Sequence, residues 1–258
     1  MLSILSISSV LMSTAALANE NPMAFVGEAH NDAVWTMYCK NPDAVSEDIP
    51  EMTADLWIAS GGDERYRAEA IEWFTALFNG DVEAALERRM QADVLSRYDE
   101  YMSLVEGITH ESLPAVVADI EALDQRTMLE FDGRSETLLL GTSAVLKSSS
   151  ELWLSEMLPE GESWEDNLEY QWKDAGGTVH IDWGEVIEAD ATGFFYGAAG
   201  GIISGGMWGG TLTVGTLTIP GAVVGGLVGM TVGSGGSSLN EYVKQDEVRD
   251  FVNEGGCE

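Results

Sequence analysis

The sequence predicts an all-α protein, with a helical bundle body followed by a C-terminal glycine-zipper helical hairpin. Three observations predict this class. Apolar residues recur with the helical period over most of the chain. Strand-like alternation is limited to residues 178–183 and 211–219, and the glycines of the last quarter recur every four residues. With 258 residues, 45% of them hydrophobic, the chain is long enough to bury a sizeable core.

Residues 1–18 are predicted to be a secretory signal peptide. An apolar stretch from Leu2 ends in Ala16-Leu17-Ala18, which is a typical cleavage pattern. No lysine or arginine precedes the stretch, so either the Met1 amine supplies the positive end or the true start lies upstream. A buried N-terminal helix is the alternative. We expect export to the periplasm or the extracellular space, with possible association with a membrane.

Residues 19–184 are predicted to form an acidic helical body. Asn79-Gly80 and Asp132-Gly133 are helix breaks, and residues 159–177 are acidic and partly loop. The eight tryptophans are expected mainly to fill the core. The helices predicted from apolar periodicity span residues 30–40, 63–79, 81–105, 114–128 and 135–157.

The charge excludes one class of partner. The chain carries 44 Asp and Glu against 12 Lys and Arg, for a net charge of −32. This charge repels nucleic-acid phosphates and anionic lipid headgroups, so neither is expected to bind by simple electrostatics. The composition is typical of a protein that stays dissolved in salty surroundings.

Residues 185–240 are predicted to form the zipper hairpin, followed by a C-terminal helix or tail at 241–258. Residues 191–240 contain no charged residue and hold sixteen of the 29 glycines. Glycines spaced by four residues leave a groove without side chains along one helix face, which permits very close helix packing. The helix-packing residues of the two arms are Gly193, Gly197, Gly201, Gly205 and Gly209, then Gly221, Gly225, Gly229 and Gly233.

The glycines make the first arm unstable in isolation. Its eight glycines between residues 191 and 210 cost about 6–8 kcal/mol relative to alanine. A bilayer can offset this cost, and so can burial between helices of the same chain or of identical copies. Each arm could span a hydrocarbon core, but glycine and threonine dilute its hydrophobicity and no positive flank sets an orientation. Conditional insertion or burial therefore fits better than a permanent anchor, and Gly201→Leu should disrupt either.

Two cysteines, Cys39 and Cys257, follow the predicted cleavage site. In an oxidising compartment they could form a disulfide that ties the first helix to the end of the chain. Two unpaired thiols are the alternative, because spacing in the sequence does not show whether the residues are close.

Two stretches together resemble a set of uncharacterised exported bacterial proteins. The first is Asn21-Pro-Met-Ala-Phe-Val-Gly27-Glu-Ala-His30-Asn31, which matches an N-P-x-x-x-[VI]-G-x-x-H-N opening. The second is Glu188-Ala-Asp190-Ala-Thr-Gly193 with the glycine-rich tail. The resemblance implies an architecture and no activity. The tail alone is also similar to the glycine-rich segments of bacteriocins, which permeabilise membranes through paired helices.

Candidate active-site residues are few. Glu28, His30 and Asp32 alternate near the predicted mature N-terminus, but capping and a hydrogen-bonded core contact are the simpler roles for His30. His110-Glu111 lacks the second histidine of a zinc-protease motif, and His180-Ile-Asp182 is an isolated pair. We therefore predict no catalytic, cofactor-binding or metal residues, no cofactor, and no enzymatic activity.

Two hypotheses for function follow. In the first, the chain is a membrane-inserting or self-associating exported factor, so that its partner is a membrane or a second copy. In the second, it is a soluble helical interaction protein of the cell envelope, with the hairpin buried in its core. Exposure of Phe194, Phe195, Trp208 and Leu217 discriminates between them, because burial under the body helices favours the second.

Overall fold

The computed structural model confirms the all-α class. It describes residues 21–40, 45–60, 63–81, 83–88, 90–154, 182–204, 212–214, 217–219, 231, 233–237 and 239–241. The strands are two three-residue segments, β1 (Leu212–Val214) and β2 (Leu217–Ile219), which pair antiparallel with Thr213 opposite Thr218. The helices are α1 (Ala24–Lys40), α2 (Ile49–Ala59), α3 (Arg67–Phe78), α4 (Glu83–Glu87), α5 (Ala92–Val105), α6 (Leu113–Glu130), α7 (Gly133–Leu154) and α8 (Trp183–Ser204), with a 3-10 turn at Glu64–Tyr66.

The core is built around α7. This helix packs against α1, α5, α6 and α8, and its residues from Leu138 to Leu146 are buried. Gly133 precedes the first full turn with a φ of 57°, a left-handed conformation that favours glycine. The predicted break at Asp132-Gly133 is thus confirmed, and α6 and α7 form a tightly connected helical hairpin.

The first two helices differ from the sequence prediction. α1 begins at Ala24, six residues before the predicted start, because Gly27 lets its first turns lie against α7. α2 was not predicted at all. It begins with Pro50 in its first turn, a position where a missing N–H costs nothing, and it buries Ile49 and Trp57.

The predicted long helix over residues 81–105 is wrong. The chain forms α4 and α5 instead, with Gln91 extended at φ −75° and ψ 142° between them. No proline or glycine marks this break, and we attribute it to packing. α4 lies against α8, whereas α5 turns to contact α6, α7 and α8 together, which one straight helix could not do.

The helix that leads into the glycine-rich region begins earlier in the sequence than predicted. α8 starts at Trp183, inside the predicted strand 178–183 and ahead of the predicted arm at residue 191. Asp182 Oδ1 accepts a hydrogen bond from the backbone N–H of Glu185 at 3.3 Å, which caps the helix and explains the early start. Residues 231, 233–237 and 239–241 are helical, and we call them the C-terminal segment. The linking residues 211–219, predicted as an extended connection, contain the paired strands β1 and β2.

The described tryptophans lie in or against the core, as expected. Trp57 and Trp153 are almost fully buried, while Trp35, Trp73 and Trp183 are partly buried and pack onto the same cluster. Trp153 and Trp183 stack with ring centroids 5.7 Å apart. The remaining three tryptophans and the predicted signal peptide lie outside the described residues.

Candidate functional site

The zipper residues fall partly within the described chain. Gly193, Gly197 and Gly201 lie on α8, and Gly233 lies in the C-terminal segment. The structure does not describe the predicted disulfide, because the side chain of Cys39 and the whole of Cys257 lie outside the described residues. The other zipper residues outside the described chain are Gly205, Gly209, Gly221, Gly225 and Gly229.

Gly193 lies very close to the C-terminal segment. A Cβ added at Gly193 would lie 2.8 Å from Ser237 Cβ and 3.2 Å from Ser234 Cα, so α8 contacts the C-terminal segment almost backbone to backbone. Gly233 faces a different helix, since its added Cβ would lie 2.9 Å from the ring of Phe74 on α3. The two described zipper faces therefore contact different neighbours.

Close glycine contacts also occur where the sequence analysis assigned none. An added Cβ at Gly27 would lie 2.4 Å from the backbone oxygen of Ala144, and one at Gly141 would lie 2.6 Å from Phe194 Cζ. Gly236 approaches Thr53 and Phe78 in the same way. These glycines stand outside a four-residue repeat, so periodicity gave no signal for them.

His30 and Asp190 form the centre of a buried polar cluster. His30 Nε2 lies 2.8 Å from Asp190 Oδ1, and both side chains are 0% exposed. Asp190 Oδ2 also accepts hydrogen bonds from the Ser149 hydroxyl and from Trp153 Nε1 at 3.1 Å. The Ser234 hydroxyl donates to the backbone oxygen of Asp190. One aspartate therefore links α1, α7, α8 and the C-terminal segment.

The cluster favours the charged form of His30. Burial alone would lower the pKa of His30, but the charge of Asp190 and hydrogen bonds to Asp190 and Asn31 outweigh it. The pKa of His30 therefore lies above its ordinary value. The His30 Nδ1 contact with Asn31 Oδ1, at 2.9 Å, fits this state because both imidazole nitrogens then donate.

This cluster does not have the geometry of a hydrolytic triad. The Ser149 hydroxyl donates to the carboxylate of Asp190 rather than to the imidazole, so His30 is not placed to activate it. Ser149, His30 and Asp190 are all completely buried, which leaves a substrate no access. The arrangement is that of a structural cluster.

The opening stretch around His30 and the tail stretch around Asp190 meet at this centre. His30 belongs to the opening stretch and Asp190 to the tail stretch. Asn31 Nδ2 donates to the backbone oxygen of Ser148 at 3.0 Å, which adds a second link from the opening stretch to α7. Sequence reasoning expected a core contact for His30 but did not identify its partner.

A second buried carboxylate, Asp124 on α6, was missed by the sequence analysis. It accepts hydrogen bonds from Tyr101 at 2.8 Å, from Asn21 at 2.9 Å, and from the Ser143 hydroxyl. Burial raises the pKa of Asp124, although these hydrogen bonds act in the opposite direction. An aspartate among many carboxylates gives no signal in the sequence, so only its tertiary neighbours reveal it.

Asp124 lies at a cleft between α1, α6 and α7. The cleft has a volume of about 720 Å³, and Lys147, which pairs with Glu121, is one of its lining residues. Glu28, one of the candidate residues near the N-terminus, lines the same cleft. In this cleft the buried side chain of Asp124 borders accessible space.

The other candidates do not form a site with these residues. His110 lies near the end of α7, with Nδ1 2.5 Å from the backbone oxygen of Leu154, and His180 lies outside the described residues. Within the described ranges, no three His, Cys, Asp or Glu side chains are grouped to hold a metal ion. Among the same residues, no helix combines the length and the apolar character needed to cross a bilayer.

Comparison with known proteins identifies no relative. No protein-family model, no curated protein and no solved structure matches the chain.

Proposed function

We propose that this chain is a non-enzymatic, exported helical interaction protein of the cell envelope, in which the first zipper arm belongs to the core. One observation carries this proposal. Phe194 and Phe195, the aromatic residues expected to form an exposed belt on a membrane-inserting hairpin, are 0% exposed. Of the two hypotheses drawn from the sequence, burial of these residues favours the second.

The contacts of α8 support this role for the arm. The Phe194 ring lies against Gly141 of α7, where a side chain would not fit. The Phe195 ring stacks on Tyr98 of α5 with centroids 4.0 Å apart. Tyr196 donates a hydrogen bond to Glu87 of α4 at 2.7 Å. The aromatic residues of α8 therefore have partners within the body, and insertion would have to remove all of them.

The same packing favours burial within one chain over self-association through the zipper. The groove at Gly193 is filled by Ser234 and Ser237 of the C-terminal segment. A second copy could use this groove only after that segment had left. The lack of enzymatic activity is proposed on separate grounds, namely that His30 is fully buried and both of its ring nitrogens have partners.

The test uses the full chain with lipid vesicles, in zwitterionic and mixed zwitterionic–anionic compositions. Hydrogen exchange of residues 183–204 is followed with and without vesicles, alongside flotation and dye release. We expect slow exchange in both conditions, no flotation and no leakage. Flotation with leakage and faster exchange in α8 would overturn the proposal and establish the inserting hypothesis instead.

A further inference from the structure

The cleft between α1, α6 and α7 has the dimensions of a small-molecule site. Its volume of about 720 Å³ lies within the range of roughly 300–1,000 Å³ that is usual for ligand pockets. Three helices form its walls. It is lined mainly by polar side chains, so a ligand that fills it must offer polar groups.

The charges around the cleft favour a cation. Four carboxylates and one ammonium line it, so its formal charge is −3 when all are ionised (1 − 4). The side chains that set this balance are Glu28, Glu121, Asp124 and Glu151 on the acidic side and Lys147 on the basic side.

Asp124 distinguishes the cleft from an ordinary acidic surface. Its side chain is 3% exposed, yet it borders the open space of the cleft. Within the part of the chain that the structure describes, Oδ1 accepts hydrogen bonds from Tyr101 and Ser143, whereas Oδ2 accepts one, from Asn21. A carboxylate oxygen can accept two, so Oδ2 retains capacity for a further donor. A buried and incompletely satisfied carboxylate is a strong site for an ammonium group.

Lys147 already places an ammonium at the cleft, and its neighbours favour the charged form. Burial would lower the pKa of Lys147, but its hydrogen bond and charge interaction with Glu121, and the charges of Glu151 and Asp124, raise it above the ordinary value. The amine is held on one wall by its pair with Glu121. Glu28 and Glu151 are exposed and have no ion pair within the described residues.

We propose that this cleft binds a small organic ligand through an ammonium group, with Asp124, Glu28 and Glu151 as counter-charges. The inference gives a ligand class to the binding role proposed above and rests on it. The ammonium would approach Oδ2 of Asp124, while the rim carboxylates attract the cation from solution. Such binding should weaken as ionic strength rises, because the rim charges are exposed.

The experiment measures binding of 1,4-diaminobutane to the full chain by calorimetry at low salt, with 1,4-butanediol as the uncharged control ligand. The test variant is Glu28→Gln/Glu151→Gln. The matched control, Glu72→Gln/Glu111→Gln, changes the net charge equally at exposed positions that do not line the cleft. We expect the cleft variant to bind the diamine about fivefold more weakly, and the control within about twofold of the parent.

A third variant tests the same site in the opposite direction. Lys147→Met removes the ammonium already in the cleft, so diamine affinity should rise by about fivefold. Absence of diamine binding by the parent, equal binding of the diol, or equal weakening in the control variant would overturn the inference. Hydrogen exchange of residues 183–204 is measured on the same samples. If one of these outcomes occurs while that exchange stays slow, the ligand proposal fails and the proposed core role of α8 does not.

Discussion

Nε2 of His30 lies 2.8 Å from Oδ1 of Asp190, and both side chains are completely buried. The pair joins α1 to α8, which are far apart in the sequence. Ser149 and Trp153 of α7 bind the other oxygen of the same carboxylate. A buried ion pair of this kind depends strongly on both partners, because either one alone would be an uncompensated buried charge.

We therefore expect Asp190→Asn to lower the free energy of unfolding by about 3–5 kcal/mol. The asparagine retains the size of the side chain but removes the charge that His30 requires. Urea denaturation followed by tryptophan fluorescence measures the effect. Arg67→Gln is the control, because Arg67 pairs with exposed Glu51 and Asp55, where solvent screens the charges, and its loss should have a much smaller effect. Equal effects of the two variants would contradict a central role for the buried pair.

The same pair predicts a dependence of stability on pH. The pKa of His30 is raised in the folded state above its ordinary value of 6.5, so folding favours the protonated form. Its contribution is fully present below about pH 6.5 and is lost as pH rises through the folded-state pKa. The difference in unfolding free energy between the parent and His30→Gln should therefore decrease from pH 6.5 towards pH 9. Its slope cannot exceed about 1.4 kcal/mol per pH unit for one proton.

Asp124 should cause a second change in the free energy of unfolding, at lower pH. Burial raises its folded-state pKa above the ordinary value of 3.8. Its contribution is therefore present below about pH 3.8 and is lost as pH rises through the raised pKa. Denaturation of the parent and of Asp124→Asn between pH 3.5 and 7 measures this contribution. A pH profile that is parallel for the two proteins would contradict the raised pKa.

Gly193→Ala should destabilise the protein, although the same change normally stabilises a helix by about 0.8–1.0 kcal/mol. The added methyl group would lie 2.8 Å from Ser237 Cβ, and we expect a net loss of about 1–3 kcal/mol. Ser237→Gly removes this contact. The double variant should therefore be more stable than the sum of the two single effects predicts, by at least about 1 kcal/mol in a double-mutant cycle. Additive effects would indicate that α8 and the C-terminal segment lie further apart than the structure shows.

Phe195→Ala tests whether α8 is core. Deleting this buried ring should cost about 3–5 kcal/mol of unfolding free energy. Leu129→Ala is the control, because Leu129 is 86% exposed and its loss should cost no more than about 0.5 kcal/mol. Thermal or urea denaturation of both variants provides the comparison. Similar small losses in the two would indicate that α8 does not pack in the body.

The sequence alone determined the helical class and several helix boundaries. The period of apolar residues located α3, α6 and α7. Asp132-Gly133 marked a real break, since only glycine adopts the φ of 57° at Gly133 without strain. Gly193, which the glycine repeat singled out, lies close to the C-terminal segment.

Only the tertiary structure decided how these pieces meet. The break between α4 and α5 at Gln91 has no local signal, because it serves contacts with α6, α7 and α8. The partner of His30 could not be found from spacing, since any of 44 acidic residues was available. Asp124 and Asp190 differ from the other carboxylates only in burial and in their hydrogen-bond donors. Those properties arise from residues brought together by folding, and a linear pattern does not contain them.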